Sequence, residues 1–182
     1  KYIATSLKEV IRDNESFGAK KPTICIVEIM GRNAGWLTAA AALAKGDDCS
    51  GADAIYLPEK VFDMDAFMAK VKHLAETKSS VVIAVSEGIH IADGRYVCEL
   101  ANENVAVDAF GHKQMSGTAA FLAQKVAEET GLKTRAIELS TLQRSATHLA
   151  SLTDINEAFQ VGYDAVLAAE EGKTGMMITL DR

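Results

Sequence analysis

Proline is almost missing from this chain: there are two in 182 residues, Pro22 and Pro58, and both fall at the boundary of a predicted strand. No Pro-, Gly- or Ser-rich tract, internal repeat or low-complexity segment marks a linker, so the sequence reads as one α/β fragment over 1–182. Cysteine is nearly as sparse. Cys25, Cys49 and Cys98 are odd in number and share no CxxC spacing, which excludes a disulfide or zinc framework and points to buried or free thiols in a reducing compartment. No apolar run reaches membrane-spanning length and no signal-peptide pattern is visible, so the expectation is a cytoplasmic protein without a membrane partner. Excess positive charge is missing too. A net charge of −6 and a pI near 5.2 argue against a nucleic-acid surface. They leave room for a small anionic ligand, because a few convergent arginines outweigh a mildly acidic exterior locally.

What is present is an alternation of short β-branched runs and amphipathic segments. Residues 1–14 place Ile3, Leu7, Val10 and Ile11 on one helical face, although no cap precedes them, as if the chain began in mid-element. "TICIVEI" (23–29), "ADAIYL" (52–57), "SVVIAV" (80–85) and "RAIEL" (135–139) read as strands, and "GMMITL" (175–180) as a closing one. Helices are expected over 37–45, 63–77, 117–129 and 154–171, with glycines at 46, 131 and 172 ending three of them. "IHIADGRYVCE" is a hairpin signal centred on Asp93-Gly94. The whole is an α/β fold, a mostly parallel sheet with helices on both faces.

Ligands of such sheets bind beyond the carboxyl ends of the strands. The ends here are Met30-Gly31-Arg32, Ser86-Glu87-Gly88 and the run 140–144, "STLQR". Arginine forks suit phosphate oxygens, a lone carboxylate suits sugar hydroxyls, and a helix starting near Gly35 adds amide donors. The set reads as a site for a phosphorylated polyol. Taken singly, Arg32 reads equally as a surface arginine, Glu87 as a helix N-terminal acid and Arg135 as a strand-edge charge. Arg135 also begins its strand, which by strand polarity puts it at the opposite edge.

Five ordered segments, "VEIMGRNAGWLTAAAALA", "YLPE", "VVIAVSEGI", "FGHKQMSG" and "KTRAIELSTLQRSATHLAS", resemble the phosphofructokinases from end to end, most closely the pyrophosphate-dependent branch. The resemblance implies phosphoryl transfer from pyrophosphate or ATP, with magnesium, to the 1-hydroxyl of fructose 6-phosphate in glycolysis. It implies that Met30, Gly31 and Arg32 line the sugar phosphate and the transferring phosphoryl group, with Arg32 catalytic. Glu87 would bind sugar hydroxyls, and Arg135 and Arg144 would clamp the 6-phosphate. For Arg135 this requires the fourth strand to run opposite to its neighbours or to lie beside a subunit interface. It further implies a Rossmann-like sugar-phosphate lobe over 23–140, flanks 1–22 and 141–182 that pack on another lobe, and a homo-oligomeric parent. Thr141 and Thr23 stand where many ATP-dependent bacterial relatives have a histidine and an arginine. Nothing resembles the family's glycine-rich donor loop or its "TIDND" segment. The magnesium ligands are therefore expected outside this stretch, and the chain alone is expected to be inactive. A non-catalytic sugar-phosphate-binding module and an ATP-dependent enzyme are the alternatives.

The remaining features read as structure. Trp36 and Leu37 are expected to anchor their helix in the core, and Met176 and Met177 to fill it. His112 and His148 are left out of the site. "GKT" (172–174) is no Walker motif, because Leu167 stands where that motif needs glycine and a helix precedes it.

Overall fold

The computed structural model describes residues 1–17, 20–100 and 117–181. Its elements in order are α1 (Tyr2–Ser16), β1 (Thr23–Ile29), α2 (Trp36–Ala39), β2 (Ala54–Tyr56), α3 (Met64–Thr77), β3 (Ser80–Ser86), α4 (Thr118–Thr130), β4 (Lys133–Glu138), α5 (Ser140–Ser145) and α6 (Leu152–Glu170). They fall into two compact units. One spans Tyr2–Ser145; the other comprises Ala146–Arg182 with Lys1.

The larger unit is built on a four-stranded sheet in the order β2-β3-β1-β4, every pairing parallel. All seven residues of β1 are buried, the pattern of a strand covered on both faces. Its alternate side chains feed two cores. Ile24 and Ile26 join Val81, Ile83 and Val85 of β3 under Phe67 and Val71 of α3 and Leu122 and Val126 of α4. Cys25, Val27 and Ile29 face the other way, with Val82 and Ala84, against Ile3, Leu7 and Ile11 of α1 and Ala41 and Ala44. Each large side chain buried this fully stabilises the fold by roughly 1.5–3 kcal/mol before entropy is counted. The helix of the 1–22 stretch is thus a core element of the sheet unit. All three cysteines are buried free thiols.

Helix ends follow local chemistry. The Asp63 carboxylate accepts the Ala66 N–H at 2.9 Å to start α3, and Gly131 at φ 65° closes α4. The Asp93-Gly94 turn is a short antiparallel excursion, with Ile91 N–H donating to Arg95 O at 3.0 Å and His90 bridged to Tyr96.

Several expectations are corrected. β4 is parallel to β1, with Arg135 opposite Cys25, so the antiparallel strand invoked for Arg135 does not exist. The stretch 175–180 forms no strand; among the described residues no strand pairs with it, and an unpaired β-run has no ladder to hold it. Met176 and Met177 are exposed instead of core. Trp36 and Leu37 are exposed as well, at 84% and 47%. The stripe that faces the sheet there is Thr38, Ala41 and Ala44, spaced by three, because α2 tightens into a 3-10 turn over Ala40–Ala44. The helix α5 is short and ends at Ser145, so Arg144 and His148 do not share one helix.

In the smaller unit, α6 has no buried residue, and Leu152, Ile155, Phe159 and Val166 of its apolar stripe are exposed.

Candidate functional site

Because β1, β3 and β4 run the same way, their carboxyl ends open on one edge of the sheet. Three loops meet there, and their backbones are tied together. Glu87 N–H donates to Ile29 O at 2.9 Å. The Ser86 hydroxyl donates to Gly31 O at 2.5 Å and accepts the Gly88 N–H at 3.2 Å. Gly31, at φ 151°, donates its N–H to Glu87 Oε1 at 3.2 Å. Only glycine is comfortable at that φ. At Gly88 the reason is contact: a Cβ would lie 1.8 Å from the Arg32 carbonyl oxygen. The loop holding Arg32 is pinned further along, where Gly35 N–H donates to Glu59 Oε1 at 2.6 Å.

The third loop is short and strained. Ser140, at φ 42°, turns the chain from β4 into α5. Gln143 of α5 then reaches β1's tip: its Oε1 accepts the Met30 N–H at 3.0 Å and its Nε2 donates to Met30 O at 3.3 Å. Arg144 follows in the last turn of α5.

Electrostatics ties the charged groups together. Burial pushes the half-buried Glu87 carboxyl above its ordinary range, while the Gly31 N–H and then the Arg32 and Arg144 guanidiniums pull it back. Both arginines therefore act on one carboxylate. A cavity of about 340 Å³ lies on the Arg32 side of this edge, lined by Arg32, Asn33, Gly88, His90 and Tyr96; Glu87 and Arg144 do not line it. Behind the site, Glu28 is buried in the middle of the sheet, and its Oε2 accepts the Ala119 N–H at 2.8 Å in the first turn of α4. Burial raises it from 4.5 to about 7, opposed by the α4 amides and reinforced by Glu138 and Glu87.

Of the residues singled out from sequence, Met30, Gly31, Arg32, Glu87 and Arg144 come together on this edge. Arg135 does not. Its Nη2 contacts Asp13 Oδ2 at 2.9 Å and Asn14 Oδ1 at 3.2 Å, and its guanidinium stacks over Phe17 at 4.5 Å. Its register opposite Cys25 is five residues from Met30, about 17 Å along the strand. The "FGHKQMSG" segment up to Ser116, His112 included, lies outside the described residues.

Glu59 and Glu28 are not singled out from the sequence, and Ser86 and Gln143 appear there only as members of the strand-end runs. Glu28 carried a signal: it is the one carboxylate in "TICIVEI", and a carboxylate in a strand buried on both faces requires a partner. The others act on backbone atoms two to 113 positions away, which no local pattern encodes.

Residues 1–169 match the phosphofructokinase family. The chain belongs to that family. Over 182 residues it is 41% identical to a pyrophosphate–fructose 6-phosphate 1-phosphotransferase of Xanthomonas campestris and 38% identical to the enzyme of that name from Halomonas elongata. In each case the whole of this chain is covered, but only 43% and 42% of the relative. The chain thus spans about two fifths of the length of these relatives. The crystal structure of a pyrophosphate-dependent phosphofructokinase from Nitrosospira multiformis superposes with a TM-score of 0.73 at 33% identity, covering 100% of this chain and 41% of that one.

Within this phosphofructokinase chain, the edge just described offers two guanidiniums, one carboxylate and glycine amides. That set suits phosphate oxygens and hydroxyls. It does not suit magnesium, which wants several oxygen donors. Among the described residues no cluster of three or more His, Cys, Asp or Glu could hold a metal ion.

Proposed function

We propose that the parent protein transfers a phosphoryl group from pyrophosphate to the 1-hydroxyl of fructose 6-phosphate, and that this chain supplies the sugar-phosphate side of the site. The observation that carries the reading is that Arg32 and Arg144, from different elements, both act on the half-buried Glu87 carboxylate at the carboxyl edge of a parallel sheet. In this reading Arg144 holds the 6-phosphate, Glu87 accepts from sugar hydroxyls, and the Met30-Gly31 backbone lies against the ring. Arg32 stabilises charge on the phosphoryl group in flight, the positioning and electrostatic role that phosphoryl transfer asks of a protein. Pyrophosphate is favoured over ATP as donor by the names of the relatives at 41% and 38% identity. Magnesium would travel with the donor and be held by residues other than those described here, and no step is routed through it. The setting is glycolysis in the cytoplasm; no helix among the described residues is long and apolar enough to cross a membrane. Arg135 enters this reading only through a second copy of the chain, from a subunit interface on the far edge of the sheet.

Isothermal titration of the chain with fructose 6-phosphate tests the site. Arg144→Ala should weaken binding at least tenfold, since each charge-assisted bond to phosphate contributes about 1.5–3 kcal/mol. Equal affinity in both proteins removes Arg144 from the site. With pyrophosphate or ATP added, the chain alone should form no fructose 1,6-bisphosphate; turnover by the chain alone refutes the division of labour.

A further inference from the structure

Six-residue helices do not persist by themselves, since the first turn costs more than it returns. α5 is of that length, and it has no buried residue; Leu142, its one large apolar side chain, is 65% exposed. It also begins at a residue in a disfavoured backbone conformation, Ser140 at φ 42°. Apolar burial therefore does not hold Arg144 in place. The element is instead joined to the sheet by the paired amide bonds between Gln143 and Met30, at 3.0 and 3.3 Å.

We infer that Gln143 is a positioning residue, whose side-chain amide clips α5 to the tip of β1 and so sets the Arg144 guanidinium opposite Glu87. The inference rests on the reading of this edge as the sugar-phosphate site. The side chain required is specific. A primary amide carries a donor and an acceptor side by side, so it pairs with both the N–H and the C=O of one residue, as a neighbouring strand would. A methionine of similar length satisfies neither, and a glutamate satisfies only the Met30 N–H.

The groups that act on the Glu87 carboxylate are Arg32 from the loop after β1, Arg144 from α5 and the Gly31 N–H; the neighbouring acid, Glu28 of β1, is itself raised in part by Glu87 and keeps its proton to about 7. Arg144 favours the ionised form, so any change that lets it drift must raise the pH at which Glu87 titrates.

The experiment follows the Glu87 carboxyl carbon by NMR titration in the wild-type chain, Gln143→Met, Arg144→Ala and the double variant, with amide exchange of β1 in the same samples reporting the intact sheet. Gln143→Met and Arg144→Ala should each move the midpoint upward, and the double variant should move it no further than Arg144→Ala alone. A midpoint unmoved by Gln143→Met overturns the inference. So do additive shifts in the double variant, which would mean Gln143 acts through Gly31 and not through Arg144. If Gln143→Met loses the sheet, Gln143→Ala, which adds no charge, carries the same comparison. Fructose 6-phosphate titration of the same proteins separates the two readings. Failure of the wild-type chain to bind counts against the sugar-phosphate site, while the Glu87 titration still decides the clip. Where wild type binds, Gln143→Met should weaken binding about as much as Arg144→Ala, with no further loss in the double variant.

Discussion

A single carboxylate inside the sheet gives this chain a pH dependence. Glu28 is 5% exposed, and burial holds its folded-state pKa at about 7 against 4.5 unperturbed. In the unfolded chain it ionises as pH rises through 4.5; in the folded chain it keeps its proton until about 7. The folded state therefore binds more protons across that window, and stability falls as pH rises through it. The full difference corresponds to roughly 3 kcal/mol. Glu28→Gln keeps a carbonyl oxygen for the Ala119 N–H and cannot ionise. Urea unfolding at pH 5 and pH 8 should then show near-equal stability at the lower pH and a gain for Glu28→Gln at the higher one. A difference that does not change with pH would mean Glu28 is not desolvated as the structure has it. At this same scale the sequence was partly legible. Arg32, Glu87 and Arg144 follow from reading strand ends, because parallel strands must deliver their loops to one edge. Arg135 lies where strand polarity puts it, toward the amino end of β4, because β4 runs parallel to β1. Gln143 and Ser86 were opaque because their partners are backbone atoms, and backbone atoms have no sequence.

Elements were legible where burial is two-sided or periodic. β1 and β3 read as strands because a central parallel strand is apolar on both faces, and α1, α3 and α4 read as helices from their apolar spacing. The reading failed where an apolar residue was assumed to imply burial. Trp36, Met176 and Met177 are all exposed, since apolar side chains are common on surfaces and location is decided by what lies opposite. α6 offers a clean element-scale prediction. A Cβ built on Gly162 meets nothing within 4 Å, and that glycine is not among those with positive φ. Gly162→Ala should therefore raise the stability of the helix by about 0.5–1 kcal/mol, through reduced unfolded-state entropy and better helix propensity. Circular dichroism melts with amide exchange along 152–170 would register it. A loss of protection would show that the position is crowded in solution, by a partner the isolated chain does not reveal.

At the scale of the molecule, the two units differ in how they meet their apolar obligations. The sheet unit builds a core on each face of β1 and β3 and leaves single apolar side chains such as Trp36 and Leu43 exposed. The unit around α6 leaves its stripe unmatched: Leu152, Ile155, Phe159 and Val166 stay 72%, 52%, 73% and 60% exposed, and the Phe159 and Tyr163 rings stack at 6.4 Å on the open surface. A contiguous apolar stripe in water favours association, because covering it releases hydration at about 25 cal/mol per Å². In a pure solution of this chain the available cover is another copy. Sedimentation velocity should accordingly show reversible, concentration-dependent association, and Phe159→Glu combined with Val166→Lys should abolish it. The paired charges at positions seven apart leave the helix itself intact, so its circular dichroism should not change. The Glu87 titration should not move either, since the sheet edge is held by β1, β3 and α5. A wild-type chain that stays monomeric at every concentration would refute the association and, with it, the reading of the α6 stripe as a surface that a second copy covers.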